Sequence, residues 1–202
     1  MRKTKELNLR KMKRIYLTLL TVFLGGFMLN AQESESWTTD VTHSSFGFKV
    51  MHKGISFTVG DFRDFELKIS TPNSSFENAS ITLVVQAKSI NTANESRDKH
   101  LRSSDFFDTD KYSEITFKSK KVTMKNEKEY TVLGDLSMHG VTKEIEIEMT
   151  HNGTVKARGK DLAGLYFTTT INREDFGVGP EISAANVAAE VELHAEIEII
   201  KE

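Results

Sequence analysis

The chain has 202 residues, of which 38% are hydrophobic, a formal net charge of −2 and no Cys. The lack of Cys excludes disulfide bonds, thiolate metal sites and a Cys nucleophile. Residues 1–31 hold seven of the 27 Lys and Arg residues but only one of the 29 Asp and Glu residues, so the remaining 171 residues carry a net charge near −8. That charge opposes nucleic-acid binding, and the remaining length suits one domain with a substantial core.

The N-terminal segment has the layout of a secretory signal peptide. Residues 1–14 are basic, and residues 15–29 form an apolar run of 15 residues. This run is shorter than the roughly 18 to 20 residues of a membrane-spanning helix, and the small residue Ala31 suits cleavage. The layout predicts a signal peptide over residues 1–31, a mature domain over residues 32–202 in the periplasm or outside the cell, and no stable membrane insertion. An uncleaved anchor and translation from Met12 are the alternatives.

The rest of the chain is dominated by alternation of apolar and polar residues. The longest example runs from Val187 to Ile199, where apolar residues alternate mostly with Glu. Such alternation is typical of β-strands with one buried face. A strand of this length suits a strongly curved sheet or a barrel. The pattern therefore predicts an all-β fold with eight or nine antiparallel strands.

The apolar phase of each predicted strand indicates which side chains point into the interior. The chain holds 13 Phe residues, and most of those after residue 31 lie on this phase. The interior of an eight-stranded barrel is either filled by side chains or holds one apolar ligand, and the pattern leaves both open. Ile55 and Val59 are predicted to point inward together with Phe57. The predicted lining of a hollow interior is Phe46, Phe48, Phe57, Leu83, Val85, Phe106, Phe117, Leu136, Met138, Leu165 and Phe167.

Residues 91–111 interrupt the alternation and are predominantly polar. Within them, a short helix is predicted from about Arg97 to Ser104, with Asn94 or Ser96 as its N-cap. The segment also contains three large apolar residues. We therefore expect a crossover that lies over one end of the barrel.

Two polar clusters are candidates for contact with the head group of a ligand. Arg97 and His100 belong to the predicted helix, and Arg173 follows a late strand. Together they would suit an anionic or polar head group if both clusters lie at the same end of the barrel. The structural alternative is that these side chains form ion pairs that hold the crossover in place. The acidic partners would then be Asp98, Asp105 and Asp175.

The sequence lacks motifs for metal or catalytic chemistry. None of its six His residues has zinc-ligand spacing such as H-E-x-x-H. The chain contains neither the G-x-S-x-G motif of α/β-hydrolases nor a Gly-rich phosphate loop. We therefore predict no metal, no cofactor and no enzymatic activity.

Five motifs in order resemble the YceI-like, polyisoprenoid-binding family. They are DVTHSSFGFKVMH at 40–52, RDKHLRS at 97–103, DFFD at 105–108, GDLSMHGVTK at 134–143 and INREDFG at 171–177. The resemblance implies a lipocalin-like antiparallel barrel in the periplasm whose apolar lumen takes a long isoprenoid or a related lipid. It implies carriage without catalysis.

The leading hypothesis is thus a secreted or periplasmic carrier or storage protein for a long-chain polyisoprenoid-type lipid. One alternative is a barrel enzyme that acts on a lipid-linked substrate through the polar clusters. Another is a structural or stress-related domain with a filled core. The sequence leaves homodimerisation open.

Overall fold

The computed structural model describes residues 34–73 and 75–202, and the predicted signal peptide lies outside these residues. Within these ranges, no helix combines the length and the hydropathy that crossing a bilayer requires. The α-helix α1 spans Glu95–Arg102. The strands are β1 (Glu35–Thr39), β2 (Ser45–His52), β3 (Ser56–Phe62), β4 (Phe65–Thr71), β5 (Ser80–Gln86), β6 (Ile90–Asn91), β7 (Glu114–Met124), β8 (Glu129–Met138), β9 (Val141–Ala157), β10 (Lys160–Asn172) and β11 (Val187–Lys201).

Eight strands close into an antiparallel barrel. Their order is β1, β4, β5, β7, β8, β9, β10 and β11, and β11 pairs back with β1, where Trp37 lies opposite Lys201. Beyond a bend, β2, β3 and β6 continue β1, β4 and β5, respectively. In this part of the wall, β2 pairs with β11, β3 pairs with β2, and β6 pairs with β3. The predicted eight-stranded, lipocalin-like antiparallel barrel is confirmed.

The two ends of the barrel differ, and we call them upper and lower. The upper end carries the β2–β3 hairpin, the crossover segment (residues 92–113), the β8–β9 hairpin and the segment between β10 and β11 (residues 173–186). Near the lower end, the ring of Phe76 lies 6.1 Å from that of Trp37 and 6.3 Å from that of Tyr130. These buried aromatic rings fill the lower part of the barrel.

The predicted helix in the crossover segment is confirmed, and it starts two residues earlier than expected. Helix α1 begins at Glu95 because the side chain of Asn94 accepts a hydrogen bond from the backbone N of Arg97 at 3.0 Å. Asp98 is buried and accepts hydrogen bonds from the backbone N and the Oγ1 of Thr92. This carboxylate therefore anchors the helix to the residues that follow β6.

The predicted inward orientation of Ile55, Phe57 and Val59 is wrong. Their side chains lie on the outer surface and are 85%, 53% and 56% exposed, respectively. Directly opposite residues on neighbouring strands share a face, and the inward Phe46 and Phe48 of β2 lie opposite Phe62 and Gly60. The pairing with β2 therefore fixes the phase of β3, whose sequence has apolar residues on both phases.

Candidate functional site

The interior of the barrel contains two adjacent apolar compartments. The lower one has an empty volume of about 590 Å³ and the upper one about 750 Å³, counted up to their open sides. Phe46, Leu83, Leu136 and Leu193 line both compartments, so the two volumes are direct neighbours across these side chains. We call the two compartments together the lumen.

The structure places most of the predicted lining residues around the lumen. Val85 and Leu165 are fully buried in the wall and do not line it, and Phe57 lies outside the barrel. Further side chains outside the predicted lining also line the lumen, namely Phe62, Phe107, Val178 and Leu193. The predicted residues that line the lumen are Phe46, Phe48, Leu83, Phe106, Phe117, Leu136, Met138 and Phe167.

Two phenylalanine rings of the lumen each have a glycine on the adjacent strand that makes room for them. A Cβ on Gly60 would lie 2.5 Å from the ring of Phe48, and a Cβ on Gly134 would lie 2.5 Å from the ring of Phe117. No real Cβ tolerates such a distance, so the two rings can lie flat across the adjacent strand only because these residues are glycines. The glycines thus keep the two rings against the wall and the lumen open.

The wall of the barrel is incomplete between β9 and β10. Regular pairing between these strands ends at Glu148 and Thr168, although both strands continue towards the upper end. The inward-facing Ile145 and Ile147 line the lower compartment beside this gap and are only partly buried. At the upper side of this gap, Lys143 of β9 forms a 3.2 Å ion pair with Asp175, which lies in the turn after β10. The Oγ1 of Thr169 donates to the backbone O of Glu146 at 2.8 Å in the same place, so side-chain contacts replace regular strand pairing in this part of the wall.

Arg173 organises the segment that covers the upper compartment. Its side chain is only 4% exposed, although it carries a positive charge. All three guanidinium nitrogens donate hydrogen bonds, so this group has no donor to offer a ligand, and the predicted head-group role of Arg173 is wrong. The acceptors are the backbone carbonyls of Val178, Gly179, Ile182, Val187 and Ala188 and the carboxylate of Glu174.

Arg97 and His100 are exposed on the crossover segment, which lies at the same end as Arg173. The Nε of Arg97 donates to the Oγ1 of Thr92 at 2.7 Å, so the guanidinium is anchored by a neutral residue. His100 lies 3.1 Å from the carboxylate of Asp105. The structure thus brings the two predicted polar clusters to one end, but Arg173 is buried in its own network while Arg97 and His100 are exposed, so the three side chains do not form one site.

A search against family models finds the YceI-like domain over residues 37–199. The chain belongs to this family. A UPF0312 protein of Staphylococcus aureus (strain N315) is 38% identical over 145 residues, which cover 71% of this chain and 82% of the relative. The family-model match over residues 37–199 includes nearly all of the strands described above.

Solved structures of YceI-like and related proteins have the same fold. The crystal structure of a Campylobacter jejuni YceI protein is 30% identical and has a TM-score of 0.70, covering 73% of this chain and 87% of that chain. A polyisoprenoid binding domain from Saccharophagus degradans is 17% identical and has a TM-score of 0.64, covering 82% of this chain and 98% of that chain. This second likeness concerns the fold alone.

The first family motif of this YceI-like domain builds a polar cluster at the bend between β1 and β2. Asp40 caps the short turn Val41–His43, and its Oδ2 lies 3.1 Å from the Nδ1 of His43. One carboxylate oxygen of Asp40, one carboxylate oxygen of Glu198 and one imidazole nitrogen of His43 all lie within 4.8 Å of one another. The hydrogen bond between the pair raises the pKa of His43 and lowers the pKa of Asp40. The cluster ties the bend to β11.

We expect the mutual stabilisation of Asp40 and His43 to be confined to a pH window. Because folding lowers the pKa of Asp40, the contribution of its carboxylate to the stability of the fold is lost as the pH falls through that folded-state pKa. Because folding raises the pKa of His43, the contribution of its imidazolium to the stability of the fold is complete below the ordinary pKa of 6.5. That contribution is lost as the pH rises through the folded-state pKa. In an NMR titration, Asp40→Asn should lower the pKa of His43 towards 6.5. The same variant should leave the pKa of His151 unchanged, since burial lowers that one. A His43 titration that Asp40→Asn does not move would disprove the coupling.

Proposed function

We propose that this YceI-like domain binds the hydrocarbon chain of a long isoprenoid-type lipid in its lumen and serves as a carrier or store. The lumen is the observation that carries this proposal, because no polar atom of the described residues faces either compartment. Burial of each CH₂-sized group gains about 0.8 kcal/mol, so several isoprene units offset the cost of ordering the chain. The polyisoprenoid binding domain with the same fold supports this choice of ligand.

The apolar lining also determines the orientation we propose for the lipid. A polar head group inside the lumen would lose its hydration without gaining a hydrogen bond, which costs several kcal/mol. The hydrocarbon tail therefore extends towards the lower end, and the head group stays at the upper end near the crossover segment. Arg97 and His100 are the side chains of α1 that we propose to contact a phosphate or a quinone oxygen there.

We favour binding over catalysis for the same reason. A chain held in the lumen meets no nucleophile or general base, since the polar atoms of Arg173, Thr168 and His194 do not face the cavity they border. An enzyme would need such a group within hydrogen-bond distance of the reacting atoms.

We further propose that the protein is exported and acts in the periplasm or outside the cell. The basic segment and the short apolar run of residues 1–31 support this location. N-terminal sequencing of protein released by osmotic shock should give a chain that starts at or near Gln32. Recovery of the uncleaved chain in the membrane fraction would contradict the proposal.

The lipid proposal is tested by extraction of the natively produced protein with organic solvent, followed by mass spectrometry of the extract. We expect one apolar lipid per protein chain at most, with a long hydrocarbon tail. Added lipid that is converted to a product would instead indicate an enzyme. A protein that neither retains nor takes up a lipid would indicate a structural domain and would overturn the proposal.

A further inference from the structure

The β2–β3 hairpin at the upper end carries half of the exposed large apolar side chains among the described residues. Ile55 lies in the turn, Phe57 and Val59 lie on the outer face of β3, and each of the three is more than half exposed. The other exposed large apolar residues are scattered over three separate elements. A cluster of exposed apolar side chains usually marks an interaction site. We call residues 51–59 the apolar hairpin.

The strands of the apolar hairpin also form part of the wall of the lumen. On the inner face of β2, Phe48 and Val50 line the upper compartment. On the outer face, Met51 lies directly opposite Phe57. Successive side chains of a strand point to opposite faces, so a single layer of sheet separates the exposed apolar surface from the lumen. The hairpin therefore lies beside the end of the barrel at which we place the lipid head group.

The upper end is nearly neutral, in contrast to the domain as a whole. It comprises residues 45–62, 92–113, 138–143 and 173–186. These segments hold eight Lys and Arg residues and nine Asp and Glu residues, which gives a net charge of −1. Most of the net charge near −8 of residues 32–202 therefore lies elsewhere. Exposed charges farther away than about 8 to 10 Å are largely screened, so they do not repel a neutral surface that touches only this end.

Two Lys residues border the exposed apolar side chains. The Nζ of Lys49 lies 4.3 Å from the centre of the Phe57 ring, and its ion pair with Glu192 is long at 3.8 Å. Lys53 is exposed in the turn, two residues before Ile55. A Lys side chain can lay its hydrocarbon stem along apolar surface and keep its ammonium group among water and head groups. Apolar side chains with a basic border are typical of segments that lie at the interface of a bilayer.

We propose that the apolar hairpin docks the domain on the surface of a lipid bilayer, with Ile55 inserted deepest, so that the upper end faces the membrane while the lipid enters or leaves. This inference rests on the proposed lipid-binding function. Ile55 protrudes from a turn, and a fluid bilayer receives such a side chain without a matching pocket. Docking is reversible, because three apolar side chains fall far short of the roughly 20 that span a bilayer.

The backbone of the hairpin limits the depth of insertion. Residues 56–59 pair with β2 on one side, and among the described residues no strand pairs with them on the other side. Unpaired backbone groups cannot form hydrogen bonds in hydrocarbon, but water reaches them in the head-group region. We therefore expect the side chains of Ile55 and Phe57 to enter the interface by about 5 to 10 Å while the strand stays outside the hydrocarbon.

Flotation with vesicles of phosphatidylcholine tests the docking, because this neutral lipid attracts the protein by no net charge. The natural protein should float with the vesicles. Ile55→Asp should weaken binding at least about tenfold, since it replaces an inserted apolar side chain by a charged one. Val155→Asp is the matched control, because Val155 is exposed on β9 towards the lower end, and this variant should bind like the natural protein. A natural protein that does not float, or equal binding by the two variants, would overturn the proposal.

A fluorescent label tests which end of the barrel meets the bilayer. The natural chain contains no Cys, so an environment-sensitive NBD group can be attached to Ile55→Cys or to Val155→Cys alone. The same vesicles should shift the emission of the label at residue 55 to the blue and leave that of the label at residue 155 unchanged. A shift at neither position, or an equal shift at both, would contradict the proposed orientation. A shift at residue 55 that unlabelled protein causes without vesicles would identify a second copy as the occupant and would refute the proposal.

Extraction of lipid from the same preparations separates this inference from the proposed function. Ile55→Asp should retain its lipid, because Ile55 does not line the lumen, but it should exchange that lipid with vesicles at least about tenfold more slowly. A natural protein that holds a lipid but does not float would refute the docking and leave the lipid-binding function intact. A natural protein that floats through residue 55 but neither holds nor takes up a lipid would support the docking and refute the lipid-binding function.

Discussion

Replacing Arg173 with Met is expected to lower the free energy of unfolding by about 3 to 5 kcal/mol, because each buried carbonyl left without a donor costs about 1 to 3 kcal/mol and several lose theirs. The buried guanidinium holds five backbone carbonyls of residues 178–188. Met has a similar length but no donor, so these carbonyls would have to find water or remain unpaired. We expect the segment 173–186 to leave its place above the upper compartment, and urea unfolding measures the loss.

Arg63→Met is the matched control for this experiment. Arg63 is exposed, and its ion pair with Asp61 spans 3.6 Å at the surface. Loss of such a pair costs at most about 1 kcal/mol. Equal destabilisation by the two substitutions would mean that Arg173 does not organise the upper end.

Replacing Leu193 with Trp is expected to lower lipid retention at least about tenfold, because displacing two CH₂-sized groups costs about 1.6 kcal/mol. Leu193 lines both compartments, so a larger side chain there would occupy space that the lipid tail needs in both. The substitution adds no buried charge, and the fold should survive it better than a substitution by Asp. Quantitative mass spectrometry of the extracted lipid measures the effect.

Glu196→Trp provides the control on the same strand. Glu196 is exposed on the outer face of β11, and the added ring would lie outside the lumen. We expect normal lipid retention in this variant. If both variants retained the lipid equally, the site of binding would not be the lumen.

The architecture of the barrel follows from local patterns that a sequence displays directly. In β8, the side chains of Tyr130, Val132, Leu136 and Met138 alternate strictly and are all buried. One apolar phase leaves a strand only one way to face the core, so the prediction succeeds there. The start of α1 is predicted to within two residues, and Asn94 is one of the two N-caps considered, because capping depends on neighbouring residues alone.

The errors arise where distant residues decide the outcome. In β3, Phe57 and Val59 lie on one face of the strand and Phe62 lies on the other. The pairing with β2 determines that the face with Phe62 points inward. The environment of Arg173 depends on carbonyls up to 15 residues away in the chain, which a motif does not reveal. The space in the interior also reflects Gly60 and Gly134, because they give room to the rings of Phe48 and Phe117 on the adjacent strands. The alternation of apolar and polar residues does not reveal these contacts.

The central claim is that the tail of an apolar lipid enters the lumen from the upper end, and the fluorescence of Trp37 tests it most directly. Trp37 is the only Trp of the chain and is buried near the lower end, beside Phe76. Two polyprenyl probes would be compared, one brominated at the far end of the tail and one brominated next to the head group. Our account predicts saturable quenching that is clearly stronger with the tail-labelled probe. Equal quenching by the two probes, stronger quenching by the head-labelled probe, or no saturable quenching would contradict it.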